Sequence, residues 1–184
     1  MHTAEARKLA EAYLSESDSL RWRHVQGVAS HAEKIVSGDS DAPVLQAAWL
    51  HDIGYGPSIA STGFHALDGA LWLRKRGVDP RVVSLVAFHT GAEFEAEERG
   101  LLDELNQFER PSQESLDLLI LCDLTVSPTG EDIVVGARLD EIVRRYLASD
   151  PVHRAVRRSS EYLLACCARA ASVASAEERG VAVF

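Results

Sequence analysis

Cysteine is scarce in this chain of 184 residues, and the three present, Cys122, Cys166 and Cys167, show no C-x-x-C spacing. That argues against a zinc ribbon or a disulfide framework and fits a reducing compartment. No run approaches the roughly 20 apolar residues of a membrane span, and Met1 to Lys8 lacks a basic stretch followed by an apolar one. The expected location is the cytoplasm, with no membrane partner. Basic residues are in deficit, 19 Lys and Arg against 28 Asp and Glu, for a formal net charge of -9. A nucleic-acid polymer held by phosphate neutralisation is therefore not expected as a partner. A small anionic substrate remains open, because the field in a pocket is set by its nearest charges and any bound cation. Nothing in the sequence decides the oligomeric state.

Strand signals are nearly missing. Period-two alternation is confined to short stretches such as Ile133-Val134-Val135, which fit a helix equally, and helical periodicity dominates. The expected fold is all-α, a single-domain helical bundle, since a chain of this length fills one substantial core and is short for two. Capping and breaking residues predict helices from Thr3, as cap, to Leu14, from Ser19 to Val36 with an end near Gly38, and from Val44 to Asp52. Further helices are predicted over Phe64 to Arg76, Arg81 to Thr90, Gln113 to Val126, Glu131 to Ala148 and Pro151 to Ala174. The charged stretch Glu93 to Arg110 is expected to form a short exposed helix around Leu101 to Phe108 that covers the core as a lid rather than building it, and the Ala/Ser-rich tail after Ala165 is expected to fray.

Charge then stands where apolar helix should continue. In Ala47-Ala48-Trp49-Leu50-His51-Asp52-Ile53-Gly54 the acid and imidazole arrive at a helix end, just before a glycine-rich turn. Adjacent helical side chains diverge by about 100 degrees, so both reach one point only if it lies over the helix end or the local geometry distorts. His24 falls on the edge of the stripe formed with Val28, Ala32 and Ile35, and taken alone reads first as a core histidine bonded to a carbonyl. His31, about 10.5 Å further along the same helix, is too distant to share an ion with it and reads as structural or exposed. Asp123 stands one turn after Leu119 and Ile120, where an unpaired carboxylate is expensive. A dication or an arginine such as Arg138 answers that need. His89 repeats the pattern one turn after Leu85 and Val86, whereas His65 alone reads as a surface residue.

Together, imidazole and carboxylate are the ligand mix of divalent transition metals, with Fe, Mn, Zn, Co and Ni all compatible. His24, His51, Asp52 and Asp123 complete one site while leaving room for water, and Asp52 can bridge to a second ion carried by His65 and His89. The tryptophans Trp22, Trp49 and Trp72 fit helical packing.

This ordered His, His-Asp, Asp set resembles the HD-domain superfamily of HDIG metal-dependent phosphohydrolases. Arg21-Trp22-Arg23-His24 is similar to its R-x-x-H start, Leu50-His51-Asp52-Ile53-Gly54 to its HDIG core, and Cys122-Asp123 to its final aspartate. The additional His65 and Phe88-His89-Thr90-Gly91 resemble the dinuclear members, including the symmetrical dinucleoside tetraphosphate hydrolases. The resemblance implies an HD domain over 1–184, with a motif core over 21–145 and a C-terminal helix over 151–174. It also implies metal-dependent hydrolysis of a small phosphate ester or nucleotide. Metal would be held by His24, His51, Asp52, His65, His89 and Asp123, with Asp52 and Arg21 catalytic and Arg21, Arg23 and Arg138 on the phosphate. Each arginine equally fits a helix-surface salt bridge. Tyr55 stands where many HDIG proteins carry lysine. Two other readings follow from the same resemblance: a dinuclear-iron oxygenase and a non-catalytic ligand-binding module.

Overall fold

Proline marks where helices begin. Pro43, Pro80 and Pro151 each open a helix, where the N–H that proline lacks has no intrahelical partner anyway. The computed structural model describes residues 1–36 and 42–180, with side chains through Val173. Its elements are α1 (Thr3–Leu14), α2 (Ser19–Ile35), α3 (Pro43–Leu50), α4 (His65–Lys75), α5 (Pro80–Phe88), α6 (Ala92–Arg99), α7 (Leu102–Leu105), α8 (Gln113–Leu124), α9 (Val135–Arg145) and α10 (Pro151–Gly180). Single 3-10 turns, Ile53–Tyr55 and His89–Gly91, follow α3 and α5. Among the described residues strand pairing is limited to one isolated antiparallel bridge, Val126 with Asp132, so the all-α expectation holds.

Helix α3 is the axle. Every residue from Val44 to Leu50 is buried, and the helix packs on α1, α2, α5 and α8. Helix α10 lies along α8, α6 and α9, and one apolar cluster runs from Ala6 in α1 to Cys167 in α10. Full burial of leucines such as Leu14, Leu50, Leu67 and Leu119 is worth about 1.5–3 kcal/mol each. Between the first 3-10 turn and α4, the buried Asp68 carboxylate accepts N–H and hydroxyl bonds from Ser61 and Thr62 at 2.9–3.1 Å and ties the intervening loop to the first turn of α4.

Several expected boundaries are corrected. Thr3 is not the cap of α1: the helix begins at it, and the Glu5 carboxylate accepts the His2 backbone N–H at 2.9 Å. Residues 131–134 are not helical, because Ile133 N–H donates to the Thr125 carbonyl at 3.0 Å and holds that segment against the end of α8. The segment expected as an exposed lid instead contributes to the core. Ala96, Leu105 and Phe108 are buried, and Glu98 pairs with Arg154 at 2.6 Å and Arg158 at 2.7 Å to pin α6 on α10. Helix α10 continues past Ala174 to Gly180, with Cys166, Cys167 and Ala170 buried, so the tail expected to fray after Ala165 is helical there. The expected helix end near Gly38 lies outside the described residues.

Gly54 is required by close approach. A Cβ there would stand 2.0 Å from the His65 carbonyl oxygen and 2.8 Å from the Gly69 nitrogen, so the turn after Asp52 lies directly on the backbone of α4. Gly54→Ala is expected to lower stability by about 1–3 kcal/mol through this overpacking. Gly136→Ala, in α9 with nothing within 4 Å of its Cβ, is expected to raise stability by up to about 1 kcal/mol. Urea midpoints of the two variants should move in opposite directions.

Candidate metal centre

Asp18 caps α2 by accepting the Arg21 N–H at 2.9 Å, and the buried stripe of this helix carries His24 to the end of α8. The turn beyond α8 must come close: a Cβ on Gly130, whose φ is +85°, would sit 2.6 Å from the Arg23 carbonyl oxygen. His24 Nδ1 thereby reaches the Ser127 carbonyl at 3.1 Å, and its Nε2 stands 3.0 Å from Asp123 Oδ1. His51 keeps helical dihedrals, but Asp52 leaves them (φ -97°, ψ 8°), which is the distortion the adjacent pair needed. The two side chains turn to the same side, with His51 Nε2 3.3 Å from Asp52 Oδ2. His89 closes α5 with Nδ1 2.7 Å from the Val86 carbonyl. The next residue, Thr90, has φ +50°, a costly setting for a β-branched side chain, and its hydroxyl donates to Asp123 Oδ2. His65 opens α4, and its Nε2 lies 3.1 Å from His89 Nε2.

All six residues converge. Ligand atoms of His24, His51 and Asp123 lie within 4.8 Å of one another, as do those of Asp52, His65 and His89. Asp52 joins the two groups: Oδ2 is 3.3 Å from His51 Nε2 and 3.8 Å from His24 Nε2, while Oδ1 is 3.4 Å from His65 Nε2 and 3.9 Å from His89 Nε2.

The donor set fits a cation. Nδ1 of His24, His51 and His89 each faces a main-chain carbonyl, of Ser127, Ala48 and Val86 respectively. A carbonyl only accepts, so Nδ1 carries the hydrogen and Nε2 is directed inward, the arrangement seen behind metal-bound histidines. His51 Nε2 is buried with no hydrogen-bond partner, a costly state unless a proton or metal ion takes its lone pair. Burial alone would lower the His51 pKa; Asp52 outweighs that and raises it to about 8. Burial would raise the Asp52 carboxyl, but Arg21 and His51 hold it far below the usual carboxylate range. Burial pushes His65 and His89 down, leaving both neutral at pH 7.

The arginines divide. Arg21 Nη1 donates to Asp52 Oδ2 at 2.6 Å, and its buried Nε has no partner. Arg138 is buried, pairs with Glu141 rather than with Asp123, and also keeps an unpartnered Nε. The arginine answer to the Asp123 charge is thus not the one the fold uses. Arg21 and Arg138 line a cavity of about 90 Å³ over Asp52, His65, His89 and Asp123. Arg23 does not reach it. Its Nε donates to the Ser19 carbonyl, and it borders a separate groove with His31. His31 is structural as expected, bonded to Thr125 and Asp132 at 2.9 Å each. Sequence reasoning missed Thr90, Glu95, Arg145 and Tyr146 on the cavity wall. The Thr90-Gly91 pair after a helix end carried a turn signal; the other three had none.

The HD domain family model matches residues 21–124. The chain belongs to the HD-domain family. Comparison with curated proteins and with solved structures finds no match. The HD match spans all six clustered residues and Arg21, whereas α9 and α10, which bring Arg138, Arg145 and Tyr146 to the cavity, lie beyond it.

Metal binding at this HD centre should compete with a proton on His51. Its folded pKa of about 8 means it is mostly protonated at pH 7 without metal and mostly neutral at pH 9. Titration calorimetry with zinc at pH 7 in two buffers of different ionisation enthalpy should therefore count about one proton released from His51, on top of any lost by metal-bound water. Apparent affinity should rise up to about ten-fold per pH unit below pH 8. No proton released at pH 7 would remove His51 from the ligand set.

Proposed function

We propose that this HD-domain protein is a phosphohydrolase that holds two divalent transition-metal ions and acts on a small phosphate ester or nucleotide. The observation that carries the reading is Asp52, whose two carboxylate oxygens face different histidine groups. Two ions at such a centre supply a water of lowered pKa and positive charge against the transferring phosphoryl oxygens. Fe, Mn, Zn, Co and Ni all suit this donor set.

The chain's own residues supply the rest. The carbonyl bonds to Nδ1 of His24, His51 and His89 fix the imidazole planes, so the Nε2 atoms stay aimed at the centre. Asp52 orients the reacting water from between the two groups. Arg21 keeps Nη1 on Asp52 while Nε is left for a phosphoryl oxygen. Arg138 and Arg145 share one carboxylate, Glu141, which leaves the α9 wall with surplus positive charge for an anion. Phe64, Ile142, Val152 and Val156 give the cavity an apolar flank that limits water around the reacting group.

With manganese-reconstituted protein and p-nitrophenyl phosphate as probe, Asp52→Asn is expected to lower kcat more than about 100-fold, beyond the usual effect of an outer-shell partner. Metal content should fall in parallel, with the helical circular dichroism intact. Retained turnover with full metal content would sink the proposal, and oxygen uptake by iron-loaded protein without phosphate release would replace it with the oxygenase reading. Arg21→Ala should raise KM about ten-fold or more through loss of a charged hydrogen bond, while Arg23→Ala, facing another groove, should leave KM unchanged. The reverse ranking would overturn the assignment of Arg21 to the phosphate.

A further inference from the structure

The 3-10 turn after Asp52 ends in Tyr55, and both faces of its ring are covered by groups of the metal centre. The His65 imidazole stacks on it, with 4.3 Å between centroids and 16° between planes. Arg21 Cζ stands 4.0 Å from the same centroid. Two groups that near to one ring centre must take opposite faces, since on one face they would overlap. The ring is therefore a spacer between a candidate metal ligand and a candidate phosphate ligand.

Core packing does not account for the placement, because Tyr55 is 37% exposed. The backbone holds the turn itself, with Tyr55 N–H on the Asp52 carbonyl and Gly56 N–H on the Ile53 carbonyl, both at 3.0 Å. The His65 ring and the Arg21 guanidinium are held by side chains and not by a main-chain carbonyl. His24, His51 and His89 are each fixed by a bond from Nδ1 to a main-chain carbonyl, whereas the contacts of the His65 ring are with His89, Asp52, Phe64 and Tyr55. Arg21 holds Asp52 through Nη1 alone, and its Nε is unpartnered.

We infer that Tyr55 is a positioning residue that stacks between His65 and Arg21 and so couples occupancy of the Asp52, His65, His89 group to anion binding at Arg21. The inference rests on the two-ion reading above for its metal half, while the stack itself stands on the ring geometry. Aromatic and cation–π contacts of this kind are worth a factor of about two to thirty in an equilibrium. The phenol hydroxyl plays no part in either contact, so phenylalanine should serve as well as tyrosine.

The test compares wild-type protein with Tyr55→Phe, Tyr55→Leu and Tyr55→Ala, each checked for intact helical circular dichroism. Three readouts are taken: zinc bound per chain after equilibrium dialysis, the dissociation constant of inorganic phosphate by calorimetry, and the His65 ring resonances in the metal-free protein. Tyr55→Phe should stay within about two-fold of wild type in both affinities and keep the His65 ring-current shift. Tyr55→Leu and Tyr55→Ala should lose that shift and weaken the second zinc and phosphate together, each by about ten-fold, with the first zinc unchanged. Leucine behaving like phenylalanine would reduce Tyr55 to a filler of space and overturn the proposal. Phenylalanine failing like alanine would transfer the role to the hydroxyl and also overturn it. Weakened phosphate with both zinc ions retained would refute the coupling. If wild type binds a single zinc, the two-ion reading and the coupling built on it fail, and the His65 shift still decides whether the stack exists.

Discussion

The structure is organised around one ionised carboxylate that cannot be left alone. Asp52 is buried at the end of the most buried helix in the fold, where an uncompensated charge would cost several kcal/mol. Arg21 and His51 compensate it, and the rest of the site gathers around it from helix ends: His65 at the opening of α4, His89 beyond α5 and the second acid, Asp123, in the last turn of α8, as His51 itself stands at the close of α3. Arg21 stands in the first turn of α2, and His24, one turn further along that helix, comes from its flank. Helix ends are where a chain can turn side chains toward a common point without breaking the hydrogen bonds of the helix, and four such ends meet over α3. The close backbone contact at Gly54 and the left-handed Thr90 are consequences of that convergence.

Much of this was legible in the sequence because it follows from periodicity. His24, His89 and Asp123 announced themselves as polar residues on apolar stripes, and the helix types and most helix starts followed from proline and capping residues. What stayed hidden depends on contacts distant in the chain. His65 looked like a surface residue because its burial comes from the α5 end and from Tyr55, neither visible in its local pattern. The stretch around Glu93 looked like a lid because it is charged, yet Glu98 finds Arg154 and Arg158 on α10 and turns that charge into an anchor. Arg23 was grouped with Arg21 as a phosphate residue through the family resemblance, but residues two apart on a helix differ by about 200 degrees, which sends one to the cavity and the other to a separate groove. Residues 131–134 could have extended α9; a bond from Ile133 to Thr125 decided otherwise.

The cavity wall shows how a family framework is completed by parts outside it. The HD match ends at Leu124, so the histidines and acids belong to the shared part of the chain. The wall they face is made by α9 and α10, and it mixes Arg138 and Arg145 with Ile142, Val152 and Val156. Whatever enters meets acid and imidazole on one side and guanidinium with branched aliphatics on the other. An anionic head with a compact apolar remainder satisfies both sides, which is why the reading in terms of a small phosphate ester rests on α9 and α10 as much as on the HD residues.

The two groups around Asp52 are also unequal in a way that bears on chemistry. His24, His51 and Asp123 are all buried, and each is restrained by a separate bond, from Ser127, Ala48 or Thr90. The strained Thr90 backbone is maintained at a cost, and its hydroxyl bond to Asp123 is what that cost returns at the site. In the second group one histidine, His89, is restrained by a main-chain carbonyl, while the His65 side chain is 18% exposed and leans on the ring of Tyr55, a residue partly open to solvent. The inner group is therefore preorganised by the fold, and the outer one by a contact at the cavity mouth. Such an arrangement lets the inner group persist while the outer group responds to what occupies the cavity, since Arg21, which would meet that occupant, rests on the other face of the same ring.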